Sequence, residues 1–341
     1  MKKNNTFIIA ELSANHGGLL ETALETVRAA KRTGADAIKL QTYTADSITL
    51  DVSTDDFIIK GGTLWDKKRL YDLYAEAYLP WEWHEPIFKL AKEIGLICFS
   101  SPFDKKAVDF LENLNCPIYK IASFEITDIP LIEYAASKGK PMIISTGIAE
   151  FEDIKLAVDT CKMAGNNDIT LLKCTSSYPA PVEEANLVMM KRFARDFGVK
   201  IGLSDHTLGI TVPVVSVALG ASVIEKHFIL DRAIGGPDAA FSLDETEFTE
   251  MVTAVREAES AIGVETYELT QKQKSGKAFA RSLYIAEDIQ KGEQFTEKNL
   301  RSVRPGYGLH PKYYNEILGK RVARDVKTGD RVTLKDIIPN E

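Results

Sequence analysis

Eight short runs rich in β-forming residues recur along the first three-quarters of the chain, and each leads into a stretch whose apolar residues follow helical spacing. The runs fall at residues 7–10, 37–40, 97–100, 118–121, 142–145, 169–173, 200–203 and 223–226. The helical stretches fall at 20–32, 82–94, 105–113, 130–137, 151–164, 187–197, 212–219 and 244–262. Runs this apolar fit strands buried on both faces, as parallel strands are. Glycine follows several helical stretches, at Gly34, Gly95 and Gly165, where a left-handed residue stops a helix. Eight strand–helix repeats in about 260 residues predict an α/β fold, the closed TIM (β/α)8 barrel. The rival is a doubly wound open sheet, which carries a glycine-rich phosphate loop after its first strand. Glu11-Leu-Ser-Ala-Asn-His-Gly17 is not such a loop.

Two segments break the repeat. Residues 44–80 form a long insertion after the second run, with Gly61-Gly-Thr-Leu-Trp65 and Tyr71-Asp-Leu-Tyr74. At this face of a barrel such insertions build substrate lids, and Leu70, Leu73, Tyr74 and Ala77 also sit at the spacing of a core-capping helix. The second departure is the C-terminus. Residues 1–262 are expected to be the barrel, 263–277 a polar linker, and 278–341 a small β-rich domain with turn signals at Lys291-Gly292 and Thr328-Gly329-Asp330.

Composition narrows the function. The 341 residues are 45% apolar and 27% charged, with net charge −7, which argues against nucleic acid as the main partner. The charge is uneven: from Val264 onward 15 Lys and Arg face 11 Asp and Glu, so the preceding part is strongly acidic. The two parts are therefore expected to dock, within or between chains. No apolar stretch is long enough to span a bilayer, the first residues lack a signal-peptide core, and the four cysteines show no paired spacing. A cytoplasmic protein without membrane contact is the expectation.

Polar side chains gather at the C-terminal ends of the runs, which is the catalytic face of a barrel. They include Glu11, Lys39, Gln41, Ser101, Lys120, Ser123, Glu125, Ser145, Ser204, His206, Glu225 and His227. The period of two puts Lys39 with Gln41, Ser204 with His206, and Glu225 with His227 on single strand faces. An ammonium inside an apolar strand needs a partner. For Lys39 and Lys120 that is either Glu11, Glu125 or Glu225, or an anionic substrate, most plausibly a phosphate among the serine hydroxyls. His206 and His227 end neighbouring runs and form a candidate divalent-metal site, with manganese, magnesium and zinc all possible. Cys174 is not expected to be a nucleophile, because no histidine is placed beside it. His16 reads as a loop-capping residue.

These residues carry a resemblance. Ile9-Ala-Glu11 with Asn15-His16, Lys39-Leu-Gln41, Ser100-Ser-Pro-Phe103, Tyr119-Lys-Ile-Ala-Ser123, Ser145-Thr-Gly147, Gly202-Leu-Ser-Asp-His206, Glu225-Lys-His-Phe228 and Gly236-Pro-Asp238 resemble the sialic acid synthase family, nearly end to end. Phe279-Ala-Arg-Ser282 and Val303-Arg-Pro-Gly306 resemble its antifreeze-like (SAF) domain. Glu11–His16, Gly61–Trp65 with the following Tyr-rich stretch, Pro80-Trp-Glu-Trp-His84 and Ser176-Ser-Tyr-Pro-Ala-Pro181 look most like the pseudaminic acid synthases within it.

The resemblance implies condensation of phosphoenolpyruvate with an open-chain N-acylated amino sugar. It implies that Lys39, Ser101, Lys120, Ser123, Ser145 and Ser204 hold phosphoenolpyruvate, and that Gln41, Tyr178 and Asp238 surround the sugar. His206 and His227 would be metal ligands, for manganese or magnesium, and Glu11 and Glu125 the catalytic carboxylates. Arg281 matches an arginine that one subunit delivers into its partner's barrel, which implies a domain-swapped homodimer. Phe124 stands where sialic acid enzymes usually have glycine, and Ser176-Ser177 also departs from them. Both weaken N-acetylmannosamine as the acceptor and favour 2,4-diacetamido-2,4,6-trideoxy-L-altrose. N-acetylneuraminate or legionaminate synthesis, a Schiff-base aldolase using Lys39 or Lys120, and a non-catalytic binding or ice-interacting protein are the alternatives.

Overall fold

The structure is a computed structural model that describes residues 5–60 and 65–339. Eight parallel strands close into a barrel in sequence order: β1 (Phe7–Glu11), β2 (Ala37–Thr42), β3 (Ile97–Pro102), β4 (Tyr119–Ile121), β5 (Met142–Ser145), β6 (Ile169–Cys174), β7 (Lys200–Asp205) and β8 (Val223–His227). The expected TIM barrel is the observed fold. Helices alternate with the strands, and the last, Glu245–Ile262, starts with a capping box between Asp244 and Glu247. Ile8, Ile38, Leu171 and Ile224 are fully buried in the core.

Several strands run further than their apolar residues suggest. β1 includes Glu11, β2 includes Gln41 and Thr42, and β3 includes Ser101 and Pro102. The backbone ladder does not require apolar side chains, and these polar ends stay in register. Glu11 pairs with Lys39 on one side and His227 on the other, Gln41 with Ser101, and Ser204 with Glu225. Alternate residues of the same strands face the surrounding helices. There Lys226 and Asp205, with side chains 0% and 2% exposed, form an ion pair, and Lys226 Nζ also donates to the Thr207 carbonyl.

The insertion after β2 contains the helices Ala45–Ile48 and Leu70–Ala77. Gly61, Gly62, Thr63 and Leu64 lie outside the described residues. Tyr43 leaves β2 and packs edge-on against Tyr74 of the second helix, with ring centroids 5.9 Å apart, and against Phe103, at 5.1 Å. Trp81 Nε1 donates to the Tyr43 carbonyl at 3.1 Å. The insertion therefore has its own packing and also reaches the catalytic face. Below it, buried His84 is linked to Thr42 Oγ1 at 2.9 Å, and Thr42 to Ser100 Oγ at 2.6 Å. Burial holds the His84 imidazole down at about 4, so it stays neutral.

The chain divides after Gly263 into two compact units. The second unit has its own core around Leu283, Phe295, Leu300 and Val322, and an antiparallel pair, β9 (Ser282–Ile285) with β10 (Leu300–Val303). The segment expected to be a linker contains a short helix, Gln271–Gly276, capped by Thr270, whose hydroxyl accepts from the Gln273 amide. Among the described residues no helix is long and apolar enough to cross a membrane.

Candidate active site

The register of the barrel gathers a charged cluster at the C-terminal ends of its strands. Lys39 Nζ lies 2.6 Å from Glu11 Oε2 and 3.6 Å from Glu225 Oε1, and Lys120 Nζ lies 3.7 Å from Glu225 Oε1. All four groups are buried. In the structure the lysines' partners are thus Glu11 and Glu225, while Glu125 makes no ion pair with either lysine among the described residues. Burial works against the charge on Lys39, but Glu11 and Glu225 outweigh it and raise its pKa. Burial wins at Lys120, which Glu225 only partly compensates, and its pKa is lowered.

Hydroxyls and an amide surround this cluster. Lys39 Nζ donates to Ser101 Oγ at 3.3 Å, and Ser204 Oγ donates to Glu225 Oε1 at 3.3 Å. Gln41 Nε2 donates to Glu11 Oε1 at 3.2 Å and to Ser13 Oγ at 3.0 Å. Ser123 Oγ accepts from the Gly147 amide at 3.1 Å. A Cβ at residue 147 would come within 3 Å of the Ser123 and Ser176 hydroxyls, so both serines would have to shift to admit a larger residue. Ser145 Oγ is buried without a hydrogen-bond partner among the described residues, as is Glu125 Oε2.

Glu125 sits in a 3-10 turn, Ser123–Glu125, that follows β4. Burial pushes its carboxyl up to about 7, only partly opposed by Lys120. The folded state therefore holds a proton that the unfolded chain releases, from the ordinary 4.5 up to about 7, and stability falls as pH rises through that window. Glu125→Gln removes the penalty. We expect the variant to be more stable than the parent by about 3 kcal/mol at pH 8, with the gain fading towards pH 5. Urea melts at the two pH values test this, and an equal or larger gain at pH 5 would contradict it.

The two histidines do meet. His206 and His227 lie with ring centroids 5.3 Å apart, framed by Phe241 and by Tyr178, whose ring is 4.4 Å from that of His206. His206 Nδ1 is 3.0 Å from the Thr175 carbonyl, so that nitrogen carries a proton; burial is outweighed by Cys174 and this carbonyl, which raise the pKa, and Nε2 offers a lone pair when the ring is neutral. His227 Nδ1 is 3.7 Å from Asp238 Oδ2. Burial, and then the charge of His206, hold His227 well below its ordinary range, so it stays neutral. Two neutral-capable imidazoles with a carboxylate nearby suit a divalent cation. Among the described residues no group of three His, Cys, Asp or Glu side chains forms a complete cage, so the remaining ligands would come from substrate or water.

One expectation is corrected. Cys174 does have a histidine beside it: its Sγ is 3.9 Å from His206 Nδ1. The reason is the stagger of β6 against β7, which pairs Cys174 with Ser204 and brings His206 over it. Burial would push this thiol up, but His206 outweighs burial and brings it down to about 7. Arg281 belongs to the second unit, where it is exposed and donates to the Ser302 carbonyl at 3.0 Å. His16 accepts from the Gly18 amide at 3.1 Å, as a loop-capping residue does. Sequence reasoning missed Ser13 and Tyr43. Continuing the period of two past Lys39-Leu-Gln41 would have found Tyr43, whereas Ser13 lies in a turn with a left-handed backbone, where no strand period applies.

The comparison with known proteins decides the family. The model of the NeuB family matches residues 26–267, and that of the SAF domain matches residues 280–338. The chain belongs to the NeuB family. Within the family it is 52% identical over 330 residues to a pseudaminic acid synthase of Campylobacter jejuni, covering 97% of this chain and 96% of that protein. It is 50% identical over 331 residues to the pseudaminic acid synthase of Helicobacter pylori, covering 97% of each. Among solved structures, the spore coat polysaccharide biosynthesis protein SpsE of Bacillus subtilis superposes with a TM-score of 0.66 at 34% identity, covering 100% of this chain and 97% of that one.

Proposed function

We propose that this NeuB-family enzyme is a pseudaminic acid synthase. It condenses phosphoenolpyruvate with 2,4-diacetamido-2,4,6-trideoxy-L-altrose and water, giving pseudaminate and phosphate. The observation that carries this is the end-to-end likeness, at 50–52% identity, to proteins of that name.

The residues give the chemistry a workable form. Lys39 and Lys120, with Ser101, Ser123, Ser145 and Ser204, hold the carboxylate and phosphate of phosphoenolpyruvate, which supplies orientation and charge compensation. His206 and His227 would hold a divalent cation, manganese or magnesium, which when bound supplies Lewis-acid polarisation of the sugar's aldehyde oxygen. Gln41, Tyr178 and Asp238 orient the sugar. C3 of phosphoenolpyruvate forms a bond to C1 of the aldehyde, whose oxygen is protonated to a hydroxyl. Positive charge develops at C2, which takes up water. Glu125, raised into the neutral range, accepts the water proton, with Glu11 as the other carboxylate at the centre. The C2–O bond to phosphate then breaks and phosphate leaves. Arg281 of a second copy would serve the site in a homodimer, and the use of phosphoenolpyruvate suits a cytoplasmic enzyme.

The test is phosphate release with the altrose, legionaminic and N-acetylmannosamine acceptors. We expect the 6-deoxy altrose acceptor to give the highest kcat/KM, chelation to abolish release, and manganese or magnesium to restore it. In oxygen-18 water the phosphate should stay unlabelled. No release with any acceptor, or labelled phosphate, would overturn the reading.

A further inference from the structure

We propose that Trp65, Tyr178 and Phe241 form an aromatic wall that takes the terminal methyl group of a 6-deoxy acceptor, and that Trp65 is the side chain through which the wall selects it. The proposal rests on the condensation reading above and adds which end of the sugar is recognised and by what.

Three rings from three separate segments converge. Trp65 comes from the insertion after β2, Tyr178 from the loop after β6, and Phe241 from the loop after β8. Tyr178 is the middle member, with ring centroids 5.1 Å from Phe241 and 5.7 Å from Trp65. Its other neighbour is His206, at 4.4 Å. The wall thus begins at the imidazoles, where the aldehyde is held, and ends one ring further out at the indole. An extended six-carbon chain spans about 6 Å from C1 to C6, given ordinary C–C bonds. A sugar with C1 at the imidazoles therefore carries its far carbon past the centre of the Tyr178 ring, on the way towards Trp65.

The surroundings differ in kind on the two sides. Glu11, Gln41 and Asp238 offer charged and amide groups to hydroxyl and acetamido substituents, and Ser13 completes that polar side through Gln41. Trp65, Tyr178 and Phe241 present ring faces and edges, which take a methyl group better than a hydroxymethyl group, whose hydroxyl would give up water against ring carbon. An apolar pocket discriminates against an added hydroxyl by about 100-fold at most, so the expected selectivity is real but modest. Phe241 is fully buried and also frames both imidazoles, so it is fixed by the core. Trp65 is half-buried and carried on the insertion rather than in the barrel core, and so is the member through which selectivity is set.

The experiment compares the parent, Trp65→Ala and Trp65→Phe on two acceptors that differ only at C6, methyl against hydroxymethyl. The parent should favour the methyl sugar by about 10- to 100-fold in kcat/KM, Trp65→Ala should reduce the preference to about threefold or less, mainly through KM, and Trp65→Phe should keep most of it. Calorimetry with acceptor alone gives the same ratios without turnover. A third acceptor lacks only the 4-acetyl group. If the Trp65→Ala loss vanishes with that sugar, the wall holds the acetamido methyl and the proposal fails. It fails too if Trp65→Ala weakens both C6 variants equally. A parent that releases phosphate normally in these cases leaves the condensation reading intact, whereas a parent inactive on every acceptor removes both.

Discussion

Lys39→Met should abolish detectable phosphate release and destabilise the barrel by about 3–5 kcal/mol at pH 8, the usual cost of removing one partner from a buried ion pair. Lys39 is 3% exposed and is the only ammonium within 3 Å of Glu11 among the described residues. Without it the Glu11 carboxylate is buried with only Gln41 and the Ser13 amide as donors. The stability deficit should depend on pH. Burial already raises the pKa of Glu11 in the parent; without Lys39 it is pushed higher still and Glu225 loses part of the charge that lowers it, so the folded state takes up protons and the deficit shrinks as pH falls towards 5. Adding Glu11→Gln should recover most of the stability and none of the activity. Equal stability of Lys39→Met and parent at pH 8 would show that the cluster is not held together as described.

Lys226→Met should cost about as much, 3–5 kcal/mol, for a different reason. Lys226 faces the surrounding helices and contacts none of the candidate substrate-binding groups. It satisfies Asp205 and the Thr207 carbonyl in a region closed to water. Removing the ammonium leaves the Asp205 carboxylate with the Thr207 amide and hydroxyl alone. For a unit this large we expect the melting temperature to fall by roughly 10 °C. Pairing the change with Asp205→Leu, so that both charges are replaced by apolar groups, should return most of it. A drop below about 2 °C in the single variant would contradict the assignment.

The fold was legible because a parallel barrel writes each strand as an apolar run and each glycine-stopped helix as a separate period. The apolar runs stop one residue short of Glu11, Gln41 and Ser101, because the ladder continues through polar side chains that hydropathy does not mark. The lysines' need for carboxylates was readable, and parity kept Glu11 and Glu225 among the candidates. The proximity of Cys174 to His206 was not readable, because it depends on the stagger between β6 and β7, which barrel closure sets and neither strand encodes alone. The helix in the polar 263–277 segment was written in the sequence. Thr270 followed three residues later by Gln273 is a capping box, and the surrounding polarity concealed it.

The pairing of Lys39 and Lys120 with Glu11 and Glu225 has one more consequence. Two ammonium groups and two carboxylates offset one another there, so under the proposed function a phosphate ester would meet cations that already have partners. Binding would then be an exchange of counter-ions, with the Lys120–Glu225 link at 3.7 Å looser than the Lys39–Glu11 link at 2.6 Å. A singly charged carboxylic acid has little advantage over the resident carboxylates, whereas a ligand carrying a doubly charged phosphate does. Under the proposed function the resident glutamates would favour strongly anionic ligands over weakly charged ones.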